Sequence, residues 1–577
     1  MEEKNLTGYP SIDKPWLKYY SEEAIQIPLP ECSIFEYLWE NNKNHLDNIA
    51  LVYFGNHITY RELFQRIDET ARAFAAHGLG PGMVCTVISL SCVNSVVTFY
   101  ALNKIGAISN YINVLSSEDE FERYFREANS DYIVSLDLFA GRVLPAAKKA
   151  GAKKVILFSL SDGMSLPAQI GYKVKFRKAN LSRSNSGNAI MWKDFLKSAK
   201  SVHLPSRAAS EDGVSIWAHT GGTTGFPKTV LLTDKAYNSV ALQYMKTMKY
   251  ERGEVFLNII VPFVVYGMLT CMHMPLCLGL TVALIPKFEA ADWSSYIKKY
   301  RPNHIAGIPT YFSPMLDDPK LTGVDLSRIK TLAAGGDGMN ESLEMRLNRF
   351  LESHGSTAIV IKGYGMTEVC SSAVTAWGEH SKIGSVGFPL VKNCIKIFDK
   401  EKKEECRYGE IGEILLSSPS LMVGYKDNEK ATNDLISVDN DGEKWVHTED
   451  LGYVDEDGFL FLLGRMKRVI LVGPEGMAYK VFPKTIEDVI QNMDEILNVC
   501  VVSAHNGNDL AAIAFVIPAA EYAGNEVQLR EKIEKLCAAE LPDYMRPFAY
   551  EFVQSFPATS VGKTDYQALE RMAEERS

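Results

Sequence analysis

"HTGGTTGFPKTVLLT" runs from His219 to Thr233 and packs three glycines, a row of threonines and one lysine into a few residues. What this stretch holds decides how the rest of the chain is read. The phosphate-loop spacing G-x-x-x-x-G-K-[ST] fails, because Pro227 precedes Lys228. Similar chemistry is still available. Gly221, Gly222 and Gly225 permit positive φ and close backbone approach, and Thr220, Thr223 and Thr224 add hydroxyl donors. An ordinary Gly/Thr turn between a strand over residues 214–218 and another over 229–232 fits the same letters. Other segments have to choose.

The chain has 577 residues and 46% hydrophobic content, enough for large cores and two to four domains. Its formal net charge of -10 argues against a general nucleic-acid binder, which needs a basic face. Ten scattered cysteines, with no C-x-x-C pair and no cluster with histidine, predict reduced thiols and a cytoplasmic location. The start, "MEEKNLTGYPSIDKPW", lacks the basic and apolar run of a secretory signal. No charged residue occurs from Val255 to Pro286, a length that could span a bilayer. Pro262, Gly267, Pro275 and Gly279 punctuate it, so the reading is shorter buried strands and a helix, with no transmembrane segment.

Apolar runs alternate with helix-like patterns, as in "VCTVISL" followed by "SCVNSVVTFYALNKIGA". Strand then helix, repeated, predicts α/β layers with largely parallel sheets. Residues 159–199 interrupt this with polar, Ser/Asn-rich sequence carrying the basic stripe "YKVKFRKANLSR". Such a stripe suits a solvated insertion, the commoner case, or an anionic membrane surface. After Gly409 short strands and turns take over, including a hairpin at "DEDG". From Arg465 onward, βαββαβ-like pieces predict a C-terminal domain of about a hundred residues.

Four further stretches stand in order beside the opening loop: "KGYGMTEVCSS" (Lys362–Ser372), "HTEDLGYVDEDGFLFLLGRMKRVI" (His447–Ile470), "GMAYKVFPKTIEDVI" (Gly476–Ile490) and "FPATSVGKTDY" (Phe556–Tyr566). Together they resemble the adenylate-forming superfamily that includes acyl-CoA synthetases, adenylation domains of nonribosomal peptide synthetases and firefly luciferase. The resemblance covers nearly the whole chain. It implies an α/β fold with a large, multi-layered N-terminal AMP-binding domain (1–464) and a small mobile C-terminal α+β domain (465–577).

It also implies roles. Thr220, Gly222, Thr223, Thr224, Gly225 and Lys228 match the family's phosphate loop, which offsets charge on the leaving phosphates of ATP. Tyr364 matches the residue that stacks on adenine, Thr367 the α-phosphate contact, and Glu368 the ligand of Mg²⁺, with Thr223 a second candidate for the metal. Asp450 matches the carboxylate that accepts from the ribose hydroxyls, and Arg465 a second ribose or phosphate contact. Lys467 falls at the hinge, and Lys563 at the catalytic lysine that bridges the acid's carboxylate and the α-phosphate. Three departures are expected to reshape the geometry locally: Gly221 replaces serine, Thr229 replaces glycine, and Glu449 replaces the glycine before Asp450.

Members that activate amino acids place an aspartate in the segment matching "VPFVVYG" (Val261–Gly267), and no acid is present here. Val265 and Tyr266 make that wall apolar, and Gly335, Gly336 and Gly363 join it as pocket residues, with Met268, Ile308, Ala334 and Met366 beside them. A hydrophobic carboxylic acid, fatty or aryl, is the expected substrate. The histidine common in this segment of acyl-CoA synthetases is missing, and "VGPEGMAYKVFPK" is longer than the family's usual loop. No carrier-protein module follows Ser577, so transfer to coenzyme A is expected, with loading of a separate acyl carrier protein as the alternative.

Overall fold

The computed structural model describes residues 6–175, 189–201, 204, 213–220, 227–472, 479–507, 509–559 and 563–575. Two large sheets form the N-terminal part. The nine-stranded one has a parallel centre, in the order Val360–Tyr364, Thr331–Gly335, His304–Gly307, Val255–Asn258, Thr281–Leu284 and Ile49–Tyr53, with short antiparallel strands at both edges. The eight-stranded one is parallel from Val214–His219 through Ile108–Tyr111, Val84–Ile88, Tyr132–Leu136 and Lys154–Phe158 to Ala189–Met191. Thr229–Thr233 then turns back antiparallel on Val214–His219. Helices cover both sheets, several of them capped by side chains. Ser117 and Glu120 close a capping box on Glu118–Glu127, and Thr59 and Glu62 do the same on Tyr60–Ala76. One continuous hydrophobic core joins the two sheets.

The run without charge from Val255 to Pro286 resolves into the strand Val255–Asn258, a π-helical stretch Tyr266–His273 continued by Met274–Cys277, and the strand Thr281–Leu284. Among the described residues no helix is long and apolar enough to cross a membrane. All ten cysteines are unpaired. The segment 159–199 is not wholly an insertion. Ala189–Met191 adds an edge strand to the eight-stranded sheet, and Trp192 and Phe195 of the following helix are buried. The polar letters hid two apolar anchors, both on the short helix that follows the strand.

A third, antiparallel sheet pairs Gly412–Ser417 with Cys394–Asp399 and Lys444–Val454, and the hairpin expected at Asp455–Gly458 carries the chain into Leu460–Arg465. Beyond it lies the smaller C-terminal unit. Ile496–Asn506, Asp509–Pro518 and Ala549–Phe552 form a three-stranded sheet with the helices Pro483–Gln491, Glu526–Glu540 and Tyr566–Glu574. It has hydrophobic clusters of its own on both faces of that sheet.

Candidate active site

A cavity of about 350 Å³ opens at the carboxyl ends of the central parallel strands, where open α/β sheets hold ligands. It runs back along their face. Gly335 and Gly363 line its outer half, and Phe256, Ile305, Thr331 and Ile361 its inner half, toward the strands' amino ends. The path from Thr331 to Gly335 is four residues, about 13 Å of extended backbone. Val265, Tyr266, Ile308, Ala334, Gly336 and Met366 line it as expected, whereas Met268 points into the protein core instead. Met268 lies in the π-helical stretch Tyr266–His273, whose winding sets which side chains face the cavity. Gly267 is required there, because a Cβ would overlap the carbonyl of Val261.

One carboxylate, Glu120, is among the lining side chains, and it accepts from the Ser117 N–H at 2.7 Å as part of the helix cap. None stands beside Tyr266, whose hydroxyl donates to Gly307 O at 3.3 Å. The wall is therefore apolar where an α-amino group would need a partner.

Thr220, Tyr364, Thr367 and Lys563 converge on the outer half of the cavity. Thr367 begins a single 3₁₀ turn followed by Cys370 and Ser371 at φ 61° and 88°, both left-handed without being glycine. This tight return brings Ser371 O against Gly365, where any Cβ would collide. Backbone strain of this kind concentrates at binding sites.

The Tyr364 hydroxyl donates to Asp450 Oδ2 at 2.6 Å, and Arg465 Nε lies 2.9 Å from Asp450 Oδ1. Burial pushes the Asp450 carboxyl above its ordinary range, against the opposing pull of Arg465. Glu449, in the position expected to change the turn, takes φ 58°, the left-handed conformation a glycine would supply. Its N–H donates to Glu413 Oε1 at 3.1 Å and its carboxylate pairs with Lys467 at 2.9 Å, which hold it there. Lys467 lies outside the cavity, exposed, on the short 3₁₀ turn Met466–Arg468.

Gly222, Thr223, Thr224 and Gly225, with Gly221, lie outside the described residues. The ends of their loop are pinned to each other: Thr220 N–H donates to Lys228 O, and Lys228 N–H to Thr220 Oγ1, both at 3.1 Å. Thr229, where glycine was expected, is buried and donates to Glu127 Oε1 at 2.6 Å, beside His219 Nδ1 at 3.3 Å. His219 Nε2 lies 2.7 Å from Asn110 Oδ1, and burial pushes its pKa down to about 4, so the ring is neutral. The departure is thus absorbed into a hydrogen-bonded network of described residues.

Lys228 and Glu368 share a partner that sequence reasoning missed. The lysine ammonium sits 4.6 Å from the ring centroid of Tyr425, whose hydroxyl donates to Glu368 Oε1 at 2.6 Å. Tyr425 sits on a two-residue strand, Gly424–Tyr425, against Thr229–Thr233, and no local pattern marks it. Tyr244, Tyr250 and Thr270 of the cavity wall were missed as well; the first two lie between motifs, and Thr270 stands just past the segment Val261–Gly267 without an apolar side chain to mark it.

Lys563 comes from the small C-terminal unit. The backbones of Thr559 and Lys563 close a turn, and Thr564 N–H donates to Asp337 Oδ2 across to the large unit at 3.4 Å. A Cβ at Gly336 would lie 3.9 Å from Lys563 Cε, so the ammonium stem passes directly over that glycine. Burial pulls the Lys563 pKa below the ordinary lysine value, with Asp337 and Asp450 opposing the shift and Arg465 adding to it. A lysine this close to a chain end is ordinarily solvated; this one is drawn into the mouth of a cavity.

The sequence pattern of the AMP-binding enzymes matches residues 38–426, and that of the AMP-binding enzyme C-terminal domain matches 485–563. The chain is 27% identical over 563 residues to a long-chain-fatty-acid–CoA ligase of Bacillus subtilis (strain 168), covering 95% of this chain and 96% of that one. Its fold is similar to the crystal structure of the anthranilate CoA ligase AuaEII in complex with anthranoyl-AMP, with a TM-score of 0.81, 20% identity, and coverage of 96% of this chain and 99% of that. A benzoate CoA ligase from Burkholderia xenovorans superposes with a TM-score of 0.78 at 20% identity over 93% of this chain and 100% of that. Since the first pattern alone spans more than half of its length, this chain belongs to the AMP-binding enzyme family.

Proposed function

We propose that the chain activates a hydrophobic carboxylic acid with ATP, forming an acyl-adenylate and pyrophosphate, and then transfers the acyl group to coenzyme A with release of AMP. The observation that carries this reading is the placement of Lys563 beside Gly336 at the mouth of an apolar cavity that Tyr364 and Thr367 also line. The acid's tail would lie along the strands and its carboxylate at the mouth. A cationic tip there offsets the repulsion between the carboxylate and the α-phosphate. The elongated cavity favours an alkyl chain over a compact aryl ring, in keeping with the name of the Bacillus subtilis relative.

In this reading the Asp450 carboxylate accepts from the ribose hydroxyls, with Arg465 beside it, and the Tyr364 ring lies against adenine. Thr367 contacts the α-phosphate. Thr220, Gly222, Thr223, Thr224, Gly225 and Lys228 hold the outer phosphates. Mg²⁺ is usually bound through one or two carboxylates plus substrate phosphates. Glu368 fits that donor set: it is buried, one of its oxygens takes the Tyr425 hydroxyl, and no cluster of three metal-ligating residues occurs among the described residues. The metal would neutralise phosphate charge there, with Thr223 as a further ligand.

We divide the chain into 1–464, which holds acid and nucleotide, and 465–577, which swings about Lys467 between the two half-reactions. The region 476–480, of which residues 476–478 lie outside the described residues, would then face the thiol. Pyrophosphate exchange over a panel of acids, followed by thioester formation with coenzyme A and with carrier proteins, tests the reading. Acid-dependent exchange and thioester on coenzyme A are expected; exchange with no acid, or thioester on a carrier alone, would overturn it.

A further inference from the structure

The cavity reaches the amino ends of the central strands, and a polar group stands behind it there. Three neighbouring strands each contribute one residue: Glu254 just before Val255–Asn258, His304 at the start of His304–Gly307, and Lys330 just before Thr331–Gly335. His304 Nε2 lies 2.8 Å from Glu254 Oε2, and Lys330 Nζ lies 2.5 Å from Glu254 Oε1. The side chains of His304 and Glu254 are buried, at 1% and 9% exposure, whereas that of Lys330 is 43% exposed. The group thus stretches from the sheet to solvent.

Register puts His304 on the cavity's side of the sheet. It is matched to Phe256 on one neighbouring strand and to Thr331 on the other, and residues in register on parallel neighbours leave the sheet on the same face. Phe256 and Thr331 line the cavity. Tyr250, another lining residue, stands edge-on to the His304 ring with centroids 4.7 Å apart, and the Phe256 ring lies 6.4 Å from it. The imidazole therefore backs two aromatic rings of the cavity wall. Burial pulls its pKa below the ordinary histidine value, so a neutral ring donates Nε2–H to Glu254 and keeps Nδ1 as an acceptor, buried and without a partner among the described residues. A hydrocarbon tail that pushed the rings aside would meet this acceptor and the Glu254 carboxylate and satisfy neither.

We infer that the Glu254–His304–Lys330 group is the stop that sets the longest acid the cavity takes, with His304 as the positioning residue that holds Tyr250 and Phe256 across the inner end. The inference rests on the reading above that the acid's tail lies along the strands. A purely apolar end wall could repack around a longer tail; one backed by a buried, hydrogen-bonded carboxylate yields only when that carboxylate loses partners. Each carbon short of the stop adds apolar burial, and the next one adds none. The length profile should therefore rise and then break at one length.

The test is acid-dependent pyrophosphate exchange by the full-length protein with straight-chain saturated acids of stepwise length, on wild type, His304→Ala, His304→Asn and His304→Gln, with Tm recorded for each. Wild type should gain about fourfold in kcat/KM per carbon up to the break. His304→Ala should move the break to longer acids, raising the ratio of kcat/KM for the acid just past the wild-type break to that for the acid just short of it by about tenfold or more. The KM for ATP should not move. His304→Asn keeps an N–H for Glu254 on a shorter side chain; it should shift the break in the same direction and carries the test if the alanine variant melts early. His304→Gln restores the reach and should restore the wild-type break. The inference alone is overturned if wild type exchanges but the break stays put in the alanine and asparagine variants, or if glutamine moves it as far as alanine does. A wild type without acid-dependent exchange overturns the underlying reading and the inference with it.

Discussion

Gly335→Ala tests the cavity without disturbing the fold. Gly335 ends the strand Thr331–Gly335, and its φ is not left-handed, so alanine adopts the backbone without strain. The added Cβ would lie 3.5 Å from Tyr266 Cζ and Oη and 3.7 Å from Gly363 O, ordinary van der Waals distances. Stability should therefore change by no more than about 0.5 kcal/mol. The methyl enters the outer half of a cavity of about 350 Å³, a few carbons along the tail from where the carboxylate would lie. One methylene of overpacking in a formed pocket costs about 1–3 kcal/mol. That is about a 5- to 150-fold loss of kcat/KM for the preferred acid. The assay is pyrophosphate exchange with straight-chain acids of increasing length. Acids too short to pass Gly335 should be spared, and the KM for ATP should not move. An equal loss at every length, or no loss at any, would refute the placement of the acid.

Tyr425→Phe removes the donor to Glu368, a charged hydrogen bond worth about 1.5–3 kcal/mol. The Mg²⁺ concentration for half-maximal exchange should rise at least about tenfold with the KM for the acid unchanged, and an unaltered Mg²⁺ profile would count against Glu368 as the ligand. Asp450 must be ionised to accept from a diol, and its pKa is raised by burial, so the KM for ATP should climb on the acid side at a pH where an ordinary aspartate is still charged. An upward shift in a carboxylate means its ionisation costs stability above the folded pKa, and that cost vanishes below the unfolded value. Asp450→Asn should thus weaken ATP binding and flatten that limb, yet leave Tm at neutral pH unchanged or higher; a lowered Tm would contradict the sign. Lys467→Pro should impair thioester formation more than adenylate formation, since the exposed pair with Glu449 is worth at most about 1 kcal/mol and its loss alone should barely move Tm. Equal impairment of both steps would remove the case for a hinge.

Much of the fold was legible because its signals are local. Strand and helix alternated cleanly, and the βαββαβ-like pieces after Arg465 fold as a three-stranded sheet with helices. The cavity-wall glycines were legible only through the resemblance, since Gly335 and Gly363 alone read as strand ends. What remained hidden depends on contacts between distant segments. Tyr425 meets Glu368 across 57 positions, and Thr229 meets Glu127 across 102. Glu449 shows the opposite case: a substitution expected to alter a turn keeps the left-handed backbone, because Glu413 and Lys467 hold it at an αL cost that an isolated residue would not meet. Met268, expected beside the pocket wall because it is apolar, lies in the core, in a stretch where the chain is π-wound.

The most direct measurement is the separation of the two half-reactions in Lys563→Ala. Acid-dependent pyrophosphate exchange should fall at least about a hundredfold, the scale of losing one charge-stabilising donor. Thioester formation from supplied acyl-adenylate and coenzyme A should stay near wild type. If exchange persists, or if both half-reactions fall together, Lys563 does not carry the first step and the account fails.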